Sequence, residues 1–357
     1  MVKTRIVCVV TLLVIMGGCG EKSKKKAFDV DLFLKEITQK VILPTLYDFK
    51  NEVELLSKET VTYVNTPNSG QLDILKKQWV KTAYAYEKTY NFHFGPAKSR
   101  FLHRAIYNWP TVPETIENLL SSKEINKGTM TKASPQIKGL AALEYLLFKE
   151  DSTTLNTKMV EQDQRRAYLL ECVTFLETQA ARLVNIWDAK GENYAATFVW
   201  SKATGINNPF NLLFNGLYNA ANTAKVTKIG KPGGFEKSPR TNPQKVQAPY
   251  SDESLALTLA SVEVIEDVFF GTDHPNISQY LTSLSEDELT NQRIKTAIDE
   301  IKDAINAIPV PLEEAVDTYP TQVENLHLKL TALNIWMGVD ARSILSVIIT
   351  STDNDGD

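Results

Sequence analysis

Apolar residues recur at helical spacing along nearly the whole chain. Between residues 28 and 65, Phe33, Ile37, Val41, Leu46, Phe49, Val53 and Leu56 fall three to five positions apart, the period that lines one face of an α-helix. Pro44 interrupts that run and predicts a bend, because proline removes an N–H from the hydrogen-bond ladder. Leu72, Leu75, Trp79, Tyr86 and Tyr90 predict a second helix over 70–91. Further helices are predicted at 136–148, 158–188, 208–225, 252–270, 288–306 and 320–349. Thr111-Val112-Pro113-Glu114 and Ser285-Glu286-Asp287-Glu288 have the spacing of capping boxes, where the first and fourth residues satisfy free backbone donors at a helix start. No segment alternates with period two among β-branched residues, so the expected fold class is all-α.

The chain has 357 residues, more than one hydrophobic core usually serves, which predicts two domains. Lys190-Gly191-Glu192, after a long helical run, is the candidate junction, giving helical bundles at 28–190 and 191–357. Residues 227–250 carry Gly230, Pro232, Gly233, Gly234, Pro239, Pro243 and Pro249. They read as the longest loop, and loops of that length are functional or disordered.

The first residues change the picture. Lys3 and Arg5 precede an apolar run over 6–16, shorter than the roughly 20 residues a bilayer-spanning helix needs. Residues 1–18 therefore read as an export signal. Gly17-Gly18-Cys19 resembles the lipobox of bacterial lipoproteins, with Met16 where leucine is usual. That implies cleavage before Cys19 and acylation (palmitate among the chains) on it, with 19–27 a polar, lysine-rich tether. An ordinary signal peptide beside an incidental cysteine is the alternative. Several acyl chains anchor a protein where one would not. Gly20, in place of the aspartate that retains lipoproteins at the inner membrane of enteric bacteria, points to the outer membrane. Of three cysteines, Cys172 alone stays in the body, so no intrachain disulfide forms there. It lies in an apolar helical stretch and reads as a buried, inert thiol.

The whole chain carries −4, and without the basic leader and tether the body is more acidic still, which argues against nucleic acid as a partner. Candidate chemistry gathers in two places. Residues 138–148 form a helix apolar almost all round, with Glu144 on the same stripe as Ile137, Leu140, Ala141 and Leu147. A buried carboxylate needs a partner or takes up a proton; it is either a structural group paired with an arginine or a helix end, or a binding group. The second place is His93-Phe94-Gly95-Pro96, followed by Arg100, His103, Arg104 and Asn108-Trp109-Pro110. Arg100 and Arg104, at i and i+4, face one way if that segment is helical, and either can then neutralise Glu144. His93 and His103 are metal ligands or packing residues, with no HxxxH or CxxC spacing beside them. Asp353-Asn354-Asp355-Gly356-Asp357 opens like a calcium loop but lacks the later glutamate; a solvated acidic tail is the other reading.

Taken in order, these pieces resemble the imelysin-like family of bacterial envelope proteins, also called iron-regulated protein A. The resemblance rests on Trp79 and Tyr86 leading into Phe94-Gly95-Pro96, on Ile106-Tyr107-Asn108-Trp109-Pro110, and on Gly139-Leu140-Ala141-Ala142-Leu143-Glu144-Tyr145. It continues through Lys228-Ile229-Gly230-Lys231-Pro232-Gly233, Pro249-Tyr250-Ser251 and the acidic tail. It implies two helical-bundle domains with the functional cleft where they meet, and an iron-regulated or iron-uptake setting. The family motif Gly-x-His-x-x-Glu implies a metal held by His and Glu at i and i+3, and from it a metallopeptidase. Gly139 and Glu144 match, but Ala141 stands at the histidine position and has no donor atom. The expectation is a non-enzymatic lipoprotein binding an unknown ligand near Gly139, Ala141, Glu144, Phe94, Gly95, Pro96, Arg104 and Trp109. Glu144 is the one motif-derived candidate for iron or another divalent metal. A divergent metallopeptidase recruiting His93, His103 or His274, and an accessory subunit of an outer-membrane transporter, are the rival readings.

Overall fold

The computed structural model describes residues 27–122, 124–285 and 288–350. The signal, the acylation site Cys19, nearly all of the tether, Glu286, Asp287 and the acidic tail lie outside these residues. Among the described residues there are helices and connecting segments but no strand, and the all-α expectation holds.

Nine helices carry the architecture: α1 (Val30–Ile37), α2 (Leu43–Asn65), α3 (Ser69–Tyr90), α4 (Gly139–Phe148), α5 (Asp163–Trp187), α6 (Pro209–Thr223), α7 (Ser254–Phe270), α8 (Leu289–Asn306) and α9 (Pro320–Ile335). In the N-terminal group α2 packs on α3 and α5, and α4 lodges between α3 and α5. In the C-terminal group α6, α7 and α9 pack together, with α8 across α7 and α9. Helix α3 also packs against α7, and α1 packs on α6, so helices from each group reach into the other. The buried apolar side chains form one continuous cluster from Phe33 to Val347.

Local departures from the expected helices have physical causes. The bend expected at Pro44 is a π-helical segment, Thr38–Ile42, directly before α2. Leu43 N–H reaches back five residues to the Thr38 carbonyl, and the proline that follows sits in the first turn of α2, where its missing N–H costs nothing. The helix expected over 158–188 is two, Ser152–Glu161 and α5, divided at Gln162. The expected 227–250 loop begins as helix: Ala224–Gly230 is π-helical and Lys231–Gly233 adds a turn, leaving the irregular part to start at Gly234. The final predicted helix stops at Leu345. Residues 348–350 leave the helix, their backbone held by the Asn211 and Asn215 amides: Ile348 N–H donates to Asn211 Oδ1 at 2.7 Å and Thr350 N–H to Asn215 Oδ1 at 2.9 Å. The turn at 188–193 closes on itself and is tied to the N-terminal group by Glu192 and Arg100, paired at 2.5 and 2.7 Å.

Candidate functional site: two buried carboxylates facing the C-terminal helices

Helix α4 is buried from Gly139 to Leu147, as its all-round apolar sequence predicts. Its start depends on Gly139, whose φ is +69°; a Cβ there would lie 2.3 Å from the Ile106 carbonyl oxygen. Only glycine allows that approach of backbone to backbone. Trp79 Nε1 of α3 donates to the Leu140 carbonyl at 3.1 Å and fixes the helix in place.

Glu144 is 2% exposed. Its partner is not an arginine. Glu144 Oε1 accepts from Tyr250 N–H at 2.8 Å, Ser251 N–H at 3.0 Å and the Ser251 hydroxyl at 3.0 Å. These neutral donors lie on the segment entering α7, so the carboxylate holds the C-terminal loop. Burial pushes its pKa up to about 7, against those three hydrogen bonds, with the Asp252 carboxylate adding to the rise. Glu313, on the Leu312–Thr318 helix, is pushed up to about 8 by burial, then by the adjoining Asp252 carboxyl, with Glu144 contributing. Asp252 itself adopts a positive φ of 66°. Three acids thus meet where α4 faces the C-terminal helices.

A second carboxylate crosses the same boundary nearby. Glu87 of α3 accepts from Lys228 Nζ at 2.6 Å, from Gln247 Nε2 at 2.5 Å and from the Ser261 hydroxyl at 3.2 Å. Glu87 and Lys228 are both 2% exposed, a fully buried ion pair with neutral donors completing it. Burial, then the fields of Glu144 and Glu87, hold the Tyr107 phenol well above its usual pKa.

The other expected site residues divide by role. Phe94 packs in the core against Trp187 and Phe198, at ring separations of 5.5 and 5.3 Å. Gly95, at φ +57°, lies so close to the Tyr194 ring that a Cβ would collide with it, and Pro96 follows in the first helical turn. Arg104 is exposed and stands over the Phe101 ring, and Arg100 is committed to Glu192, so neither neutralises Glu144 as the spacing suggested. Trp109 packs edge-on against Tyr107. Ala141 is buried and contributes a methyl group only. Cys172 is buried and inert as expected, its thiol pushed up to about 12 by burial.

The histidines assemble elsewhere. His93 and His103 meet with ring centroids 4.2 Å apart, and burial, then His103, hold His93 well below its usual pKa. His274 faces Asp267 at 3.6 Å and the Pro275 carbonyl. Among the described residues no three His, Cys, Asp or Glu side chains come together to hold a metal ion. The metal that the family motif implies does not fit here: Ala141 has no donor, and Glu144 Oε1 already accepts three hydrogen bonds. Tyr250, Ser251, Asp252, Glu313, Glu87 and Lys228 were not singled out as site residues from the sequence. Glu87 was accessible to the reasoning that found Glu144, since Ala83, Glu87 and Tyr90 are spaced as one helix face.

Comparison with known proteins agrees with this architecture. Over 225 residues the chain is 22% identical to iron-regulated protein A of Synechococcus elongatus, a match covering 61% of this chain and 58% of that protein; the chain thus spans about six tenths of its curated relative. A protein described as an iron-regulated protein A precursor from Parabacteroides distasonis superposes with a TM-score of 0.74 at 17% identity, covering 91% of this chain and 97% of the other. An imelysin-like protein from Psychrobacter arcticum gives the same TM-score and identity, over 91% of this chain and all of its own. At those identities the two structures establish the shared fold. The family model described as Imelysin matches residues 42–334, and the chain belongs to the imelysin family.

Proposed function

We propose that this protein is a non-enzymatic binding protein of the cell envelope, anchored through acylated Cys19. It takes an organic cation at the Glu144, Asp252 and Glu313 cluster, in an iron-related setting like that named for its relatives. The observation that carries this reading is the state of the acids. Glu144 and Glu313 are pushed up to about 7 and about 8, and the largest influences on each include no ammonium or guanidinium. Buried acids without a cationic partner hold protons near neutrality, and a cation entering the cluster displaces those protons. Among the described residues no histidine shares with Glu144 a group that could hold a metal ion, which favours the binding reading over the divergent metallopeptidase.

The test is titration calorimetry of the purified protein with putrescine, in two buffers of different ionisation enthalpy, and with zinc as the metal control. The wild type is expected to bind putrescine with proton release, and Glu144→Ala to lose it. Absence of binding by wild type, with metal binding gained in Ala141→His, would defeat the reading and mark a family metal position that this chain has given up. Cleavage of the leader before Cys19 with acylation there is checked by mass spectrometry of the protein from its native membrane.

A further inference from the structure

A groove of about 490 Å³ lies beside the residue that precedes α4, between α5 and the 127–131 segment. It shares no residue with the Glu144 cluster. Lys138, 7% exposed, forms part of its wall. Its ammonium donates to the Met130 carbonyl at 3.1 Å and sits 4.5 Å from the centre of the Phe175 ring. A lysine ammonium has three protons to place, and burial lowers the pKa of this one with no carboxylate offsetting it. Lys228, the other buried lysine among the described residues, shows what a structural one does in this fold: it meets Glu87 at 2.6 Å. Lys138 is instead a nearly buried cation on the wall of an open groove.

The rest of the lining fits one class of ligand. Lys127 and Arg182 lie exposed along the groove. Glu171, the acid in the lining, accepts from Gly128 N–H at 2.8 Å. Phe175, Met130 and Leu102 give the groove an apolar wall. An ammonium, a guanidinium fork and an aromatic face together suit a planar carboxylate with an apolar body, because the fork pairs carboxylate oxygens two at a time. We propose that this groove binds a small apolar carboxylate, with Lys138 as its buried anchor and Arg182 and Lys127 at its mouth.

Benzoate is the probe, followed by chemical-shift titration and by the thermal midpoint of the purified protein. Benzamide serves as the neutral isostere and sodium chloride as the ionic-strength control. Wild type is expected to bind benzoate at least tenfold more tightly than benzamide, with shifts confined to residues of the groove. Lys138→Met is expected to lose that preference while keeping or raising the midpoint without ligand, since it removes an uncompensated buried charge. Arg182→Met, at an exposed position, is expected to weaken benzoate several-fold with the fold intact, so the test stands even if Lys138→Met folds poorly. Equal affinity for benzoate and benzamide, no binding beyond the chloride control, or unchanged binding in Arg182→Met together with a lowered midpoint in Lys138→Met, would each overturn the proposal.

Discussion

Glu87 and Glu144 make the same crossing in different ways. Each is a nearly buried carboxylate on an N-terminal helix, and each accepts three hydrogen bonds from residues of the C-terminal helices and loops. Glu87 has an ammonium among its donors, whereas Glu144 has only backbone N–H groups and a hydroxyl. The ion pair ties α3 to the π-helical segment at 2.6 Å, so Glu87 and Lys228 act as a clamp. Neutral donors leave the charge of Glu144 adjustable, and burial brings its titration up to about 7. Two acids in similar surroundings are thereby assigned to holding and to responding.

The sharpest way to break this contrast is to remove one member of the clamp. Glu87→Gln leaves the Lys228 ammonium buried and unpaired, and is expected to cost about 3–5 kcal/mol in urea unfolding. Adding Lys228→Met should recover most of that loss, because both charges are then gone. A cost below about 1 kcal/mol for the single change would mean that the pair is not a clamp. Next in size is Gly139→Ala, which places a methyl group against the Ile106 carbonyl at a positive φ and is expected to cost about 2–3 kcal/mol. A silent Gly139→Ala would show that α4, and Glu144 with it, can shift without penalty.

The third expectation concerns pH. The folded protein keeps the Glu144 proton up to about 7, while the unfolded chain releases it near 4.5. A carboxyl whose pKa is raised by folding stabilises the fold fully below the lower value, and that contribution is lost as pH rises through the upper one. Relative to Glu144→Gln, the wild type should lose on the order of 2 kcal/mol between pH 4.5 and 7, measured by urea unfolding at stepped pH. Parallel pH profiles for the two proteins would remove Glu144 from the responsive role. Smallest of all is Arg100→Ala. Its partner Glu192 is also exposed, so no resolvable change in the unfolding midpoint is expected; a clear loss would mean that the 188–193 turn matters to how the helix groups are joined.

How far the sequence revealed this site depends on whether the signal is local. Glu144 was legible because one charge on an otherwise apolar helix has nowhere to go but inward. Glu87 obeys the same rule, yet Lys88 and Thr89 beside it make α3 read as an ordinary amphipathic helix. The donors for Glu144 lie more than 100 residues away, at Tyr250 and Ser251, and no periodicity encodes a meeting at that separation. The family motif marked Pro249-Tyr250-Ser251 without saying what it touches. The π-helical segments at Thr38–Ile42, Ala224–Gly230 and Trp336–Ala341 were equally illegible, because one widened turn barely disturbs an apolar pattern of period 3.6. The second of them carries Lys228.

Cys172 adds something that neither carboxylate can. It lies on α5 against the start of α4, with the Gly139 backbone bonded to its sulfur, and no cysteine follows position 19 other than this one. A thiol so buried, with its pKa pushed up to about 12, does not react with iodoacetamide in the closed protein. Its alkylation therefore times the parting of α4 from α5. The molecule carries its own stopwatch for the helix that bears Glu144, readable by mass in any variant without an added label.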